Sequence, residues 1–235
     1  MKTFLRPLAG LLLAAAAAVA ASAFEGRVTL AFKSGREAEQ VIAYAMKDGK
    51  VRMEPQIEEA GGAAMILDVA KQQMTVLMPD QAMYFVMPLR SAPAAGAARE
   101  NEPAAKVEKT GETDVILGYV CEKYLSTERG EVTELWLTEE LGAFAGLGGG
   151  NPMAGMMGGP GGGRGGKAAG GGWEKALQGK TGAFPLRVVT RDTRGRETFR
   201  LEARKIEPGK LPDALFAPPE GFQKMSLPMM GGFGG

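Results

Sequence analysis

Residues 24–33 limit the fold more than any other stretch of this chain. Phe24, Val28, Leu30 and Phe32 share one parity, while Glu25, Arg27, Thr29 and Lys33 take the other. A period of two puts each set on its own face of an extended chain, so the segment is a strand with one wet face. Antiparallel sheets accommodate such strands. Short apolar runs divided by turn residues come next. Residues 41–46 and 51–53 flank Asp48-Gly49, a pair suited to the positive φ angles of a type I′ hairpin. Residues 63–69, 74–78 and 83–87 predict three more strands, separated by Lys71-Gln72-Gln73 and Pro79-Asp80. Apolar residues fill both parities in these three, which sets them between two covering layers or along an apolar cavity.

The second half repeats the pattern. Val115, Leu117, Tyr119, Cys121 and Leu125 share a parity, interrupted by Lys123, and residues 132–137 pair back across Arg129-Gly130. Thr138 is placed to cap a short helix, with Glu139 and Glu140 in the first turn, where the dipole favours anions. Leu141, Phe144 and Ala145 would lie on one side of it. Residues 184–191 and 197–206 predict two long strands joined near Arg194-Gly195. Two loops lack periodicity. Residues 90–112 are rich in Ala, Pro and Glu. Residues 142–172 hold 16 Gly in 31 positions, an entropic cost no packed element survives. A short helix at 173–178 then presents Trp173 and Leu177. Past Leu211 the chain is extended, with Phe216 and Phe222 as anchors, and residues 228–235 form a flexible Gly/Met tail. The fold class is mainly β (α+β): a curved antiparallel sheet or incomplete barrel of roughly eight to eleven strands with short lid helices.

Residues 1–23 read as a secretory signal. Lys2 and Arg6 precede an apolar stretch, and Ala21-Ser22-Ala23 is a small-x-small cleavage site, so the mature chain starts at Phe24. The Ala-rich leader is of a bacterial kind, which places the protein in the periplasm or outside the cell. No later apolar run is long enough for a membrane helix, and residues 24–227 read as one domain.

Composition narrows the chemistry. The chain has no His and one Cys. That removes Ser-His-Asp and Cys-His catalysis, a His-based zinc site and an intrachain disulfide. Loss of the leader leaves 26 basic against 27 acidic residues, unlike a strongly basic nucleic-acid binder. Asp114, Glu122, Glu139 and Glu140 are too scattered for a paired acid and base. Residues 161–168 approach a phosphate-binding loop, but Ala168 lacks the hydroxyl and no strand or helix flanks the segment. Met153, Met156, Met157, Met225, Met229 and Met230 offer soft thioethers without a His or a second Cys, and they read as a tether or a partner contact. No cofactor and no metal is expected. Cys121 falls on an apolar parity and reads as a buried, inert thiol.

Three stretches carry a resemblance: Val115-Ile116-Leu117-Gly118-Tyr119 with Cys121; Glu134-Leu135-Trp136-Leu137 running into Thr138-Glu139-Glu140-Leu141; and Leu215-Phe216-Ala217-Pro218-Pro219-Glu220-Gly221-Phe222. The chain resembles an uncharacterised domain family of exported bacterial proteins, domain of unknown function 4412, within the LolA-like superfamily of periplasmic lipoprotein carriers. The resemblance implies an incomplete barrel wrapped around a helical lid, with an apolar cavity for acyl chains. Met65, Leu67, Val69, Met74, Val76, Met78 and Phe85 would line that cavity, and Phe144 and Trp173 would anchor the lid. Methionine is flexible and polarisable, so such a wall adapts to varied chains. Arg196, Arg200 and Arg204 share a strand face that is either solvated or in contact with anionic head groups or a partner. The expected function is non-catalytic binding of an apolar ligand, either a lipid or an acylated protein. The alternative is a structural or envelope-associated interaction module with a solid core, no ligand and an envelope protein as partner. No nucleic acid is expected, nor any membrane span once the leader is cleaved.

Overall fold

The computed structural model describes residues 24–56, 62–89, 106–145 and 182–226. The leader, residues 90–105, 146–172 of the Gly-rich loop, the helix expected at 173–178 and the tail at 228–235 lie outside the described residues.

The strands are β1 (Gly26–Ser34), β2 (Gln40–Lys47), β3 (Lys50–Pro55), β4 (Ala64–Asp68), β5 (Gln73–Met78), β6 (Met83–Pro88), β7 (Lys106–Ile116), β8 (Tyr119–Glu128), β9 (Glu131–Thr138), β10 (Phe184–Arg191), β11 (Glu197–Pro208) and β12 (Gln223–Met225). All join one sheet in the order β12-β6-β5-β4-β3-β2-β1-β11-β10-β9-β8-β7. Neighbours are antiparallel except β12, which lies parallel to β6. Asp48 and Gly49 have φ of 49° and 71°, as the hairpin between β2 and β3 requires. Among the described residues no helix is long and apolar enough to cross a membrane.

The sheet curves towards one face. Three strand spacings separate β2 from β10, about 14 Å on a flat sheet. Yet the rings of Tyr44 on β2 and Phe184 on β10 lie 5.6 Å apart. The main core sits on this concave face and runs from Met74 on β5 to Cys121 on β8. A smaller core on the back joins Ala45, Ala64, Ile66 and Leu77 to Leu211 and Phe216. Both parities of β4 and β5 are apolar for that reason: each strand is covered on two sides. The back cover is a strap after β11 that includes a 3-10 turn at Asp213–Phe216. Lys47 Nζ donates to Leu211 O at 2.7 Å, and Arg52 Nη1 donates to Leu215 O at 3.0 Å. Lys47 also pairs with Asp213 at 2.7 Å, and Leu211 N donates to Glu25 Oε1 at 2.5 Å.

Three local expectations are corrected. Residues 106–112, read as loop, belong to β7. This is an edge strand carrying Lys106, Glu108, Lys109, Glu112 and Asp114, and charge is how an edge avoids unwanted pairing, so it shows no apolar period. The run from Val115 to Leu125 is a hairpin rather than one strand. Leu117 and Gly118 form its turn, with φ of 52° and 89°, and the turn breaks the shared parity: Val115 pairs with Val120, both exposed, whereas Cys121 is buried. No helix spans the described residues 139–145 that follow Thr138. That residue ends β9, its Oγ1 accepts from Glu140 N at 3.3 Å, and Gly142 N closes a single turn on Glu139 O at 3.3 Å.

Candidate functional site

Cross-strand register arranges the concave face in rows. One row runs Val28, Tyr44, Met53, Met65, Val76 and Phe85 from β1 to β6. The next runs Met46, Val51, Leu67, Met74 and Met87. Five of the expected wall residues, Met65, Leu67, Met74, Val76 and Phe85, are thus brought together. The first four are buried, and Phe85 is half-buried on the outer wing. Met78 is half-buried at the end of β5. Val69 falls in the turn after β4 and is 44% exposed, so it does not share the face. Trp173 lies outside the described residues. On the other wing a bulge in β11 opposite Thr29 and Leu30 turns Ile206 inward along with Ala203.

The chain after β9 crosses this face. Leu141 is buried in the main core, and Phe144 N donates to Ala183 O at 3.1 Å. Tyr44 Oη donates to Ala145 O at 2.6 Å and accepts from Ala145 N at 2.9 Å. The ring of Phe144 stacks on Tyr44 at 5.5 Å and meets Phe184 edge-on at 5.1 Å. Phe144 is therefore held in an aromatic trio that spans β2 and β10. Tyr44 and Phe184 were not among the expected site residues. Tyr44 does share a parity with Ile42 and Met46, which is the signal that places it inside. Burial raises its phenol far above the usual value, against the opposing pull of the Ala145 backbone, so it stays neutral.

The arginines do not share one strand face: Arg196 lies in the turn before β11, Arg200 on the strand and Arg204 at its bulge, each with its charge answered. Arg196 donates to Asp192, and Arg200 bridges Glu197 and Glu202. Arg204 reaches Glu39 at 2.9 Å and Glu202 at 3.1 Å. An anionic head group here competes with carboxylates already in place. Two grooves of about 380 and 420 Å³ open on the β7–β11 wing. Val115, Leu186 and Arg187 line the first, and Tyr124, Glu139 and Glu140 the second. Neither includes the methionine rows. Among the described residues no group of three or more His, Cys, Asp or Glu is placed to hold a metal ion. Cys121 is buried, and burial pushes its thiol up to about 11, which keeps it protonated.

A family model described as Domain of unknown function (DUF4412) matches residues 24–222. The chain belongs to the DUF4412 family. No curated protein matches it. Among solved structures, the DUF4412 chain is similar to an uncharacterized conserved protein from Thermus thermophilus. The identity is 12%, the match covers 87% of this chain and 91% of that one, and the TM-score is 0.49. It is similar to a chain of the MucA/MucB complex of Pseudomonas aeruginosa, at 12% identity, 84% and 56% coverage and a TM-score of 0.42. A LolA superfamily protein from Nitrosomonas europaea shows 12% identity, 84% and 91% coverage and a TM-score of 0.32.

Proposed function

We propose that the DUF4412 chain works by binding: its concave face takes up an apolar ligand, a lipid or an acylated protein, without catalysis. The setting is the bacterial periplasm after removal of residues 1–23, and residues 24–227 act as one unit. The observation that carries this reading is the pair of methionine-rich rows on a face crossed by the segment ending at Ala145. Met53 and Met65 are direct cross-strand partners in one row, and Met46 and Met74 belong to the adjacent row with Val51 and Leu67 between them. Thioether side chains have three rotatable bonds and repack around guests of different shape, which a wall of branched residues does not do. The covering segment rests on aromatic contact and a few hydrogen bonds, so it can leave at modest cost. Phe144 and Trp173 act as anchors for the cover, and Met65, Leu67, Met74, Val76, Met78 and Phe85 form the wall.

The near-complete burial of Met53, Met65 and Met74 favours a second reading, a solid core presented to an envelope protein partner. Native mass spectrometry of the mature protein from the periplasm, followed by lipid extraction, separates the two. A stoichiometric lipid or acylated peptide supports the binding reading, and replacing Trp173 by Ala should weaken its retention. A bare mass that stays unchanged after incubation with envelope lipids favours the solid-core module.

A further inference from the structure

Gln40 closes a row that crosses six strands. Tyr124, Leu135, Val188, Leu201 and Phe32 precede it, each in register with the next, and Phe32 pairs with Gln40. The other five members belong to the concave core or pack against it. On its own strand Gln40 shares a parity with Ile42 and Tyr44, both fully buried. Among the described residues, Gln40 Oε1 is the buried side-chain oxygen or nitrogen that has no hydrogen-bond partner. A buried acceptor left without a donor destabilises a fold, while Met or Leu at this place would extend the apolar row.

We infer that Gln40 selects the ligand: its amide oxygen accepts a hydrogen bond from a neutral N–H or O–H donor beside the ligand's acyl chain. The inference rests on the reading that the concave face takes an apolar ligand. Gln40 as a whole is half-buried at the start of β2, while its Oε1 is shielded from solvent. A neutral donor fits because an ammonium group drawn against that shielded atom loses part of its hydration. An ester-linked chain offers no such donor, whereas an amide-linked or hydroxylated chain does. The ligand class is therefore an N-acyl or hydroxyacyl compound. That chemistry is found both at an acylated protein terminus and in a free lipid.

The test uses the mature full-length protein and four probes with one chain length: methyl dodecanoate, methyl β-hydroxydodecanoate, N-dodecanoylglycine methyl ester and an N-dodecanoylated tetrapeptide. Competition is read by native mass spectrometry. The wild type should favour the three donor-bearing probes over methyl dodecanoate by on the order of tenfold, one hydrogen bond's worth of selectivity. Gln40→Met should erase that preference while raising Tm, a pairing that a merely structural glutamine would not produce. Circular dichroism checks that the variant is folded, and the wild-type probe ratio decides without it. Equal binding of all four probes by the wild type, or a preference that survives Gln40→Met, overturns the inference and leaves the apolar-ligand reading standing. Binding of no probe overturns both. If the peptide binds more tightly than the glycine ester, the selected donor belongs to an acylated protein; if the two bind equally, it belongs to a free lipid.

Discussion

The hydroxyl of Tyr44 serves two backbone groups at once. It gives one hydrogen bond to Ala145 and receives one from the same residue, so both peptide groups there are satisfied by one side chain. Tyr44→Phe keeps the stack with Phe144 and removes both bonds. The expected loss is about 1–3 kcal/mol, the cost of leaving backbone groups without partners in an apolar site. Urea denaturation measures it, and an unchanged midpoint at an unchanged slope would show that the hydroxyl does not hold the segment down. The ring alone does not explain the position, because Phe would then serve equally well.

At the level of elements, the strap on the back of the sheet is tied by charge as well as by apolar contact. The direct bond from Lys47 holds the Asp213 carboxyl below its usual range, and the Lys47 ammonium is raised in return, chiefly by that bond. A depressed carboxylate stabilises the fold above its unfolded pKa of about 4 and loses that stabilisation as pH falls through the lower folded value. A raised ammonium stabilises below its unfolded pKa and loses the effect as pH rises through the higher folded value. The Tm advantage of the wild type over Asp213→Asn should therefore be present at neutral pH and fade below about pH 4. Asp213 is 86% exposed, so the effect should be small and shrink with added salt. A Tm gap that stays constant down to strong acid would remove the ion pair from the account.

The elements also show where sequence suffices. Strands β1 and β11 announce themselves because each pairs a wet face with a dry one. Strand β7 does not, because its outer edge calls for charge rather than alternation. Thr138 with Glu139 and Glu140 is a sound local helix signal, but register with Phe184 holds Thr138 in the sheet. The wall residues of β4 to β6 were legible from the family resemblance rather than from parity, because apolar residues fill both faces there, and Met46 and Met53 were missed. The role of Tyr44 was not legible, since its partner lies 101 residues further along the chain.

For the whole molecule, the decisive geometry is the way the long connection between β9 and β10 leaves and re-enters the sheet. Phe144 N donates to Ala183 O at 3.1 Å, so the two ends of residues 146–181 are already joined by the folded part. Closing that gap with a short Gly-Ser linker leaves every described hydrogen bond in place, and shortening a loop lowers its closure entropy. The expected result is a variant with the same circular dichroism spectrum and one cooperative melt within a few degrees of the wild type. Loss of cooperative unfolding would mean that the segment is needed to complete the core. Ligand retention by the same variant then reports on Trp173, which lies within it.

The strand that opens the sequence stands mid-sheet and pairs on one side with the last long strand, Gly26 opposite Pro208. The edge of it that faces β11 has no partner until almost the entire polypeptide is available, while its other edge pairs with β2 at once. Folding rates fall as contacting residues become more distant in sequence, because the loop must close before the contact rewards it. In a chain of this topology that emerges from one end, the open edge of β1 is closed last. The time needed to bring the chain's two ends together is therefore the time for which that edge stays unpaired.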